Sequence, residues 1–273
     1  MNFKKKLDKI VNKNNSLLCI GLDPELENLP EVLQKEKDPL FVFNKAIIDA
    51  THDIVCAYKP NIAFYEAYGL EGLLQLQFTI RYLIKNHPEI PIILDAKRGD
   101  IGNTASCYAK AVFEFWQADA VTVFPYMGLD TIKPFLAYQD NLTIVLIRTS
   151  NPDARMFQDL KVGKDPLYLK IAQEIKNWDF ENLGIFVGAT YPEELSQIRK
   201  IFPDKIFLSA GIGAQSAQIK AAVQSGIDKQ GEGIMFNASR SIIYASSGKD
   251  FSQKARAAAM KLRDEINKHR YKL

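Results

Sequence analysis

The stretch IPIILDAK (residues 90–97), continued by RGDI (98–101), is apolar on both of its alternating faces and then abruptly charged. A strand with one wet face alternates apolar and polar residues, whereas a parallel strand covered on both faces does not, so the run reads as a buried parallel strand. Seven further runs have the same character: LLCIGLD (17–23), IVCAYKP (54–60), AVTVFPY (120–126), LTIVLIRTS (142–150), LGIFVGAT (183–190), KIFLSAGIG (205–213) and GIMFNASR (233–240). Between them lie segments of helical periodicity, among them Leu70–Lys85, Ile101–Trp116, Pro166–Trp178 and Gln215–Ser225. The order is strand then helix, eight times, with no Gly/Ser/Pro-rich linker to divide it. The expected fold is therefore α/β, a single (β/α)8 TIM barrel domain over residues 1–273. An extra N-terminal helix (Phe3–Val11) precedes it and a charged helix (Phe251–His269) ends it.

Composition agrees and excludes several function classes. The 273 residues carry 35 basic against 32 acidic side chains, a net +3, which is too balanced for a surface that binds nucleic acid or an anionic membrane. With 47% hydrophobic and 25% charged residues the chain can bury a sizeable core. The longest apolar runs, Ile90–Leu94 and Leu142–Ile147, fall far short of a membrane helix. Cys19, Cys56 and Cys107 follow no paired spacing and read as small buried side chains in a reducing compartment. The lysine-rich start imitates a signal peptide, but its apolar stretch is too short, so a cytoplasmic protein is expected. His52, His87 and His269 lack metal-ligand spacing and read as packing or surface residues.

In such a barrel the chemistry belongs at the C-terminal ends of the strands. Asp95 and Lys97 are two apart on strand three, so both should face the barrel mouth. Asp100 lies just beyond, and strand two ends in Lys59. An inward charge array is costly unless something uses it. The plainer reading makes Asp100 the N-cap of a helix starting at Ile101, and Asp95 with Lys97 an ordinary ion pair. Carboxylates within about 4 Å of Lys97 would hold its proton by several kcal/mol at an effective dielectric near 20. Lys97 is thus expected to be a cation, poor as a Schiff-base nucleophile and good at stabilising developing negative charge. Asp23 before Pro24 and Ser150 before Asn151-Pro152 are strand-end polar groups that also suit plain turns. Gly211-Ile212-Gly213-Ala214-Gln215 opens a helix, and Arg240 ends strand eight, which together suit a phosphate. The connection Asn151–Lys164 is long for its place and is a candidate for function or mobility.

These residues resemble the orotidine 5′-phosphate decarboxylase family, in the form of its second bacterial subfamily, over essentially the whole chain. Asp95-x-Lys97-x-x-Asp100-Ile101 is the signature. It is joined by Gly21-Leu22-Asp23-Pro24, Tyr58-Lys59-Pro60-Asn61 with Phe64-Tyr65-Glu66, Thr149-Ser150-Asn151-Pro152, the glycine turn and Ser239-Arg240-Ser241. The resemblance implies a carboxy-lyase that converts orotidine 5′-phosphate to uridine 5′-phosphate and CO2, the last step of de novo UMP synthesis. It implies no metal and no organic cofactor, and a homodimer with active sites at the interface. Lys97 would be the proton donor to C6 and Asp95 would sit beside the departing carboxylate. Lys59 and Asp23 would hold the ribose, with Asp100 and Thr104 entering from the partner subunit. Ser150 would read the pyrimidine edge, and Gln215 and Arg240 would bind phosphate. Ala210, where many relatives have proline, and the short glycine turn are departures that bear on whether a long lid follows strand seven. Related sugar-phosphate decarboxylases and aldolases share the motif but bind Mg²⁺ through an acidic residue where this chain has Lys59. A catalytically silent phosphate-binding barrel would have no use for the charge array.

Overall fold

The computed structural model describes residues 1–212 and 215–270. Eight parallel strands form the barrel: β1 (Leu18–Leu22), β2 (Ala57–Pro60), β3 (Ile93–Arg98), β4 (Ala120–Val123), β5 (Leu142–Arg148), β6 (Leu183–Val187), β7 (Phe207–Ala210) and β8 (Ile234–Ala238). Every residue of β1, β2, β4, β5, β6 and β8 is buried, which is why these runs do not alternate. Hydrogen bonding runs in the order β2-β1-β8-β7-β6-β5-β4-β3. The circle is completed between β2 and β3 by two isolated bridges, Tyr58 with Ile92 and Asn61 with Asp95, rather than by a full ladder. Tyr58 N–H donates to Pro91 C=O at 3.0 Å and Ile62 N–H to Asp95 C=O at 3.3 Å.

The observed strands are shorter than the apolar runs. Ile54, Val55 and Cys56 are buried but precede β2, so Cys56 lies just outside its strand. Cys19 is buried in β1, whereas Cys107 is exposed on a helix, against the expectation of three buried thiols. Burial pushes the Cys19 thiol up to about 12, so it behaves as a small hydrophobe.

The main helices are α1 (Phe3–Asn14), α2 (Pro39–Thr51), α3 (Gly69–Asn86), α4 (Gly102–Lys110), α5 (Leu129–Leu136), α6 (Leu167–Lys176), α7 (Pro192–Ile201), α8 (Ser216–Gly226) and α9 (Phe251–Arg270). The extra helix α1 is N-capped by Asn2, whose side chain accepts from Lys5 N–H at 3.0 Å. It lies against the N-terminal ends of the strands. Lys6 pairs with Asp119 at 2.8 Å, and Asp119 accepts Ile92 N–H at the start of the β3 run. The expected Ile101–Trp116 helix begins one residue later and widens over Ala111–Phe115, where Trp116 N–H reaches back to Ala111 C=O. Of the histidines, His52 and His87 stack with ring centroids 4.4 Å apart and His269 contacts Glu265, so all three are packing residues. The Asn151–Lys164 connection holds the short turns Pro152–Ala154 and Arg155–Gln158, followed by a two-residue hairpin, Lys161–Val162 with Asp165–Pro166.

Beyond the C-terminal end of β2, α3 packs against the one-turn helix Ala63–Glu66 so closely that a Cβ on Gly72 would lie 2.1 Å from the Tyr65 carbonyl oxygen. Backbone cannot yield there as a flexible side chain could. Gly72→Ala should therefore cost about 1–3 kcal/mol of stability, as overpacking does, read as a lowered urea midpoint at unchanged slope. An unchanged midpoint would show that the two helices separate freely.

Candidate active site

Three strand ends converge on one carboxylate. Asp95 of β3 accepts from Lys59 Nζ of β2 at 2.8 Å on one oxygen. On the other oxygen it accepts from Lys97 Nζ at 2.6 Å and from Thr122 Oγ1 of β4 at 2.9 Å. Asp95 and Lys59 are buried, while the Lys97 side chain keeps 39% of its exposure and so stands at the open mouth. Burial alone would push the Asp95 carboxyl up, but the attraction of Lys59 and Lys97 together outweighs it and holds the group well below the usual carboxylate range. For Lys59, burial would favour loss of the proton, and the Asp95 and Asp23 carboxylates reverse this, raising it above the usual lysine value.

Asp95 and Lys97 do face one another, although not through regular strand alternation. The β3–β4 register shifts between Leu94 and Arg98, and Lys97 has φ +45°, a left-handed conformation that costs a non-glycine residue of order 1–3 kcal/mol. Lys97 is held there by its N–H, which donates to Thr122 Oγ1 at 3.0 Å, and by its ammonium on Asp95. No sequence signal marks Thr122, because one threonine inside an apolar strand makes no pattern.

Asp23, also buried, follows β1. Its carboxylate accepts Asn61 N–H at 3.1 Å and the Ser239 hydroxyl at 2.6 Å. That second contact needs a glycine at position 21, where a Cβ would come within 2.5 Å of Ser239 Oγ. Asp100 accepts the N–H of Ile101 at 2.8 Å. It is not the N-cap, which is Ile101, and none of Lys59, Asp95 and Lys97 is its partner among the described residues. Thr104 is exposed on the first turn of α4.

Ser150 is half-buried beyond β5. The Arg148 guanidinium beside it is wholly buried, bonded to Gln158 at 3.0 Å and Asp159 at 3.1 Å and lying 4.5 Å from the Tyr191 ring centroid. Gln158 also accepts Thr149 N–H at 3.0 Å, so the long connection is tied to the end of β5. Gln215 and Arg240 are both exposed. Their chain neighbours Ser216 and Ser241 line the same cavity of about 480 Å³, which puts the loops after β7 and β8 side by side. Gly213 and Ala214 of the glycine turn lie outside the described residues. The described residues contain no cluster of three or more His, Cys, Asp or Glu suited to a metal ion, and no helix long and apolar enough to cross a membrane.

Residues 16–256 match the profile of the orotidine 5′-phosphate decarboxylase / HUMPS family. The chain belongs to this family. An orotidine 5′-phosphate decarboxylase of Cellvibrio japonicus is 50% identical over 271 residues, 98% of each chain. One from Flavobacterium johnsoniae is 48% identical over 262 residues, 96% of each. Among solved structures, Leishmania donovani OMP decarboxylase superposes with a TM-score of 0.86 at 37% identity, covering 100% of both chains. The barrel and its N-terminal helix are thus those of the orotidine 5′-phosphate decarboxylase family.

In this cluster, Thr122 couples Asp95 to the strained backbone of Lys97. Thr122→Val keeps the shape and removes both bonds, each worth about 1 kcal/mol and more where a buried partner is left unsatisfied. The decarboxylase kcat/KM should fall by about tenfold, with a stability loss of about 1–3 kcal/mol. A variant with wild-type kcat/KM would show that Lys97 needs no support from β4.

Proposed function

We propose that the protein is a decarboxylase of orotidine 5′-phosphate, yielding uridine 5′-phosphate and CO2 as the closing step of UMP synthesis. The observation that carries this reading is the buried Asp95 carboxylate held between the ammonium groups of Lys59 and Lys97, with Lys97 alone open to the mouth. In the reaction the bond from C6 to the carboxylate breaks, its electron pair stays on C6, and CO2 leaves. The Lys97 ammonium gives its proton to C6 and is left as an amine, which solvent reprotonates. The ring delocalises the C6 electron pair poorly, so a cation already in place counts most. Asp95 repels the substrate carboxylate, and this repulsion vanishes when neutral CO2 forms. Asp23 and Lys59 bind ribose, Ser150 reads the pyrimidine edge, and Gln215 and Arg240 bind the phosphate far from C6. That remote binding contributes to rate insofar as it is realised in the transition state.

Asp100 and Thr104 serve the neighbouring site of a homodimer in this reading. It is supported by the lack of a bond from Asp100 to Lys59, Asp95 or Lys97 among the described residues and by the exposure of Thr104 and of Ile101, which is 57% exposed. The buried free thiols Cys19 and Cys56 fit a cytoplasmic setting. The metal-dependent alternative, a sugar-phosphate lyase, is disfavoured by Lys59, whose ammonium would repel a divalent cation where a carboxylate ligand is needed.

An absorbance assay should register loss of orotidine 5′-phosphate equally with and without EDTA. Lys97→Ala should retain less than a tenth of the activity while its circular dichroism is unchanged. Activity abolished by chelator and restored by Mg²⁺ would transfer the assignment to the lyase. Lys97→Ala and Asp100→Ala proteins, each nearly inactive, should recover about a quarter of wild-type activity after subunit exchange, because half the dimers are mixed and each has one intact site. No recovery after exchange verified by mass would put Asp100 in the site of its own chain.

A further inference from the structure

The β1 ladder ends at Leu22, yet Asp23, one residue further on, must hold its carboxylate steady. Three tyrosine hydroxyls grip the backbone on either side of it. Tyr65, buried in the one-turn helix Ala63–Glu66, donates to the Leu22 carbonyl at 2.8 Å and accepts from the Asn44 amide at 2.8 Å. Tyr244, following β8, accepts Glu25 N–H at 2.7 Å and lies 3.4 Å from the Asp23 carbonyl oxygen. Tyr68 accepts Leu26 N–H at 2.9 Å. Phe43 of α2 stacks on the Tyr244 ring at 5.8 Å, which fixes that phenol in turn.

An ionised carboxylate has about four acceptor positions, and here Asn61 N–H and the Ser239 hydroxyl take one on each oxygen. One position therefore remains on each, a pair that matches two adjacent hydroxyl donors. We propose that Tyr65, Tyr68 and Tyr244 are positioning residues that fix Asp23 as the reader of a ribose diol, and so set the preference of the site for ribonucleotides over deoxynucleotides. The inference rests on the assignment of Asp23 to ribose in the proposed function. The phenols touch no substrate, and their effect passes through Asp23.

The test compares the dissociation constants of UMP and 2′,3′-dideoxy-UMP. Asp23→Asn should erase most of the preference for UMP. Tyr244→Phe and Tyr68→Phe should each weaken UMP by about three- to tenfold, the scale of one lost hydrogen bond, and leave dideoxy-UMP unchanged. In the Asp23→Asn background Tyr244→Phe should have no further effect on either ligand. Thermal melts establish that each variant is folded, and half-buried Tyr68 provides a second variant should Tyr244→Phe prove unstable. Equal weakening of both ligands, or an unchanged preference in both phenylalanine variants while Asp23→Asn loses it, would overturn the tyrosine role and leave Asp23 as the ribose contact. An unchanged preference in Asp23→Asn would remove the ribose assignment, and the tyrosine role with it.

Discussion

Asp95 has to remain charged in a place where burial opposes charge, and the site is organised around meeting that requirement. One lysine would leave a carboxylate oxygen unmatched; Lys59 and Lys97 take one each, and Thr122 adds a third donor. The dependence is mutual, because Lys59 is as buried as its partner and stays protonated through Asp95 and Asp23. Removing one member of such a buried set leaves an uncompensated charge, typically at about 3–5 kcal/mol. The strained backbone of Lys97 is tolerated within the same arrangement, since its amide ends on Thr122, which donates to Asp95, and its ammonium ends on Asp95 itself.

The strands were legible because each is covered on both faces, which writes an unbroken apolar run into the chain. Their ends were less so: Ile54–Cys56 continue the run but are buried as turn rather than strand. Asp95, Lys97 and Lys59 could be found from strand-end position alone. Lys97 lies on the face that alternation predicts, but a bulge and a left-handed residue put it there in place of regular pleating. What escaped were groups whose role depends on distant partners. Ser239 reaches Asp23 across 216 residues of chain, through the parallel pairing of β1 with β8. No local periodicity encodes that contact. In sequence Asp100 reads most simply as a helix cap, and the start of α4 at Gly102, with Ile101 as its N-cap, removes that reading. Length alone marks the Asn151–Lys164 connection, and no local pattern marks the buried Arg148 that tethers it.

The thin seam between β2 and β3 gives the site a second character. Two isolated bridges join those strands, and the Lys59–Asp95 ion pair spans the same gap. The pair that arms the mouth thus also staples the barrel shut. Active sites commonly trade stability for activity, and a lineage can relax the one without harming the other. Here the two are bound to the same atoms. A descendant that drifted toward different chemistry by replacing Lys59 would therefore have to mend its barrel in the same step.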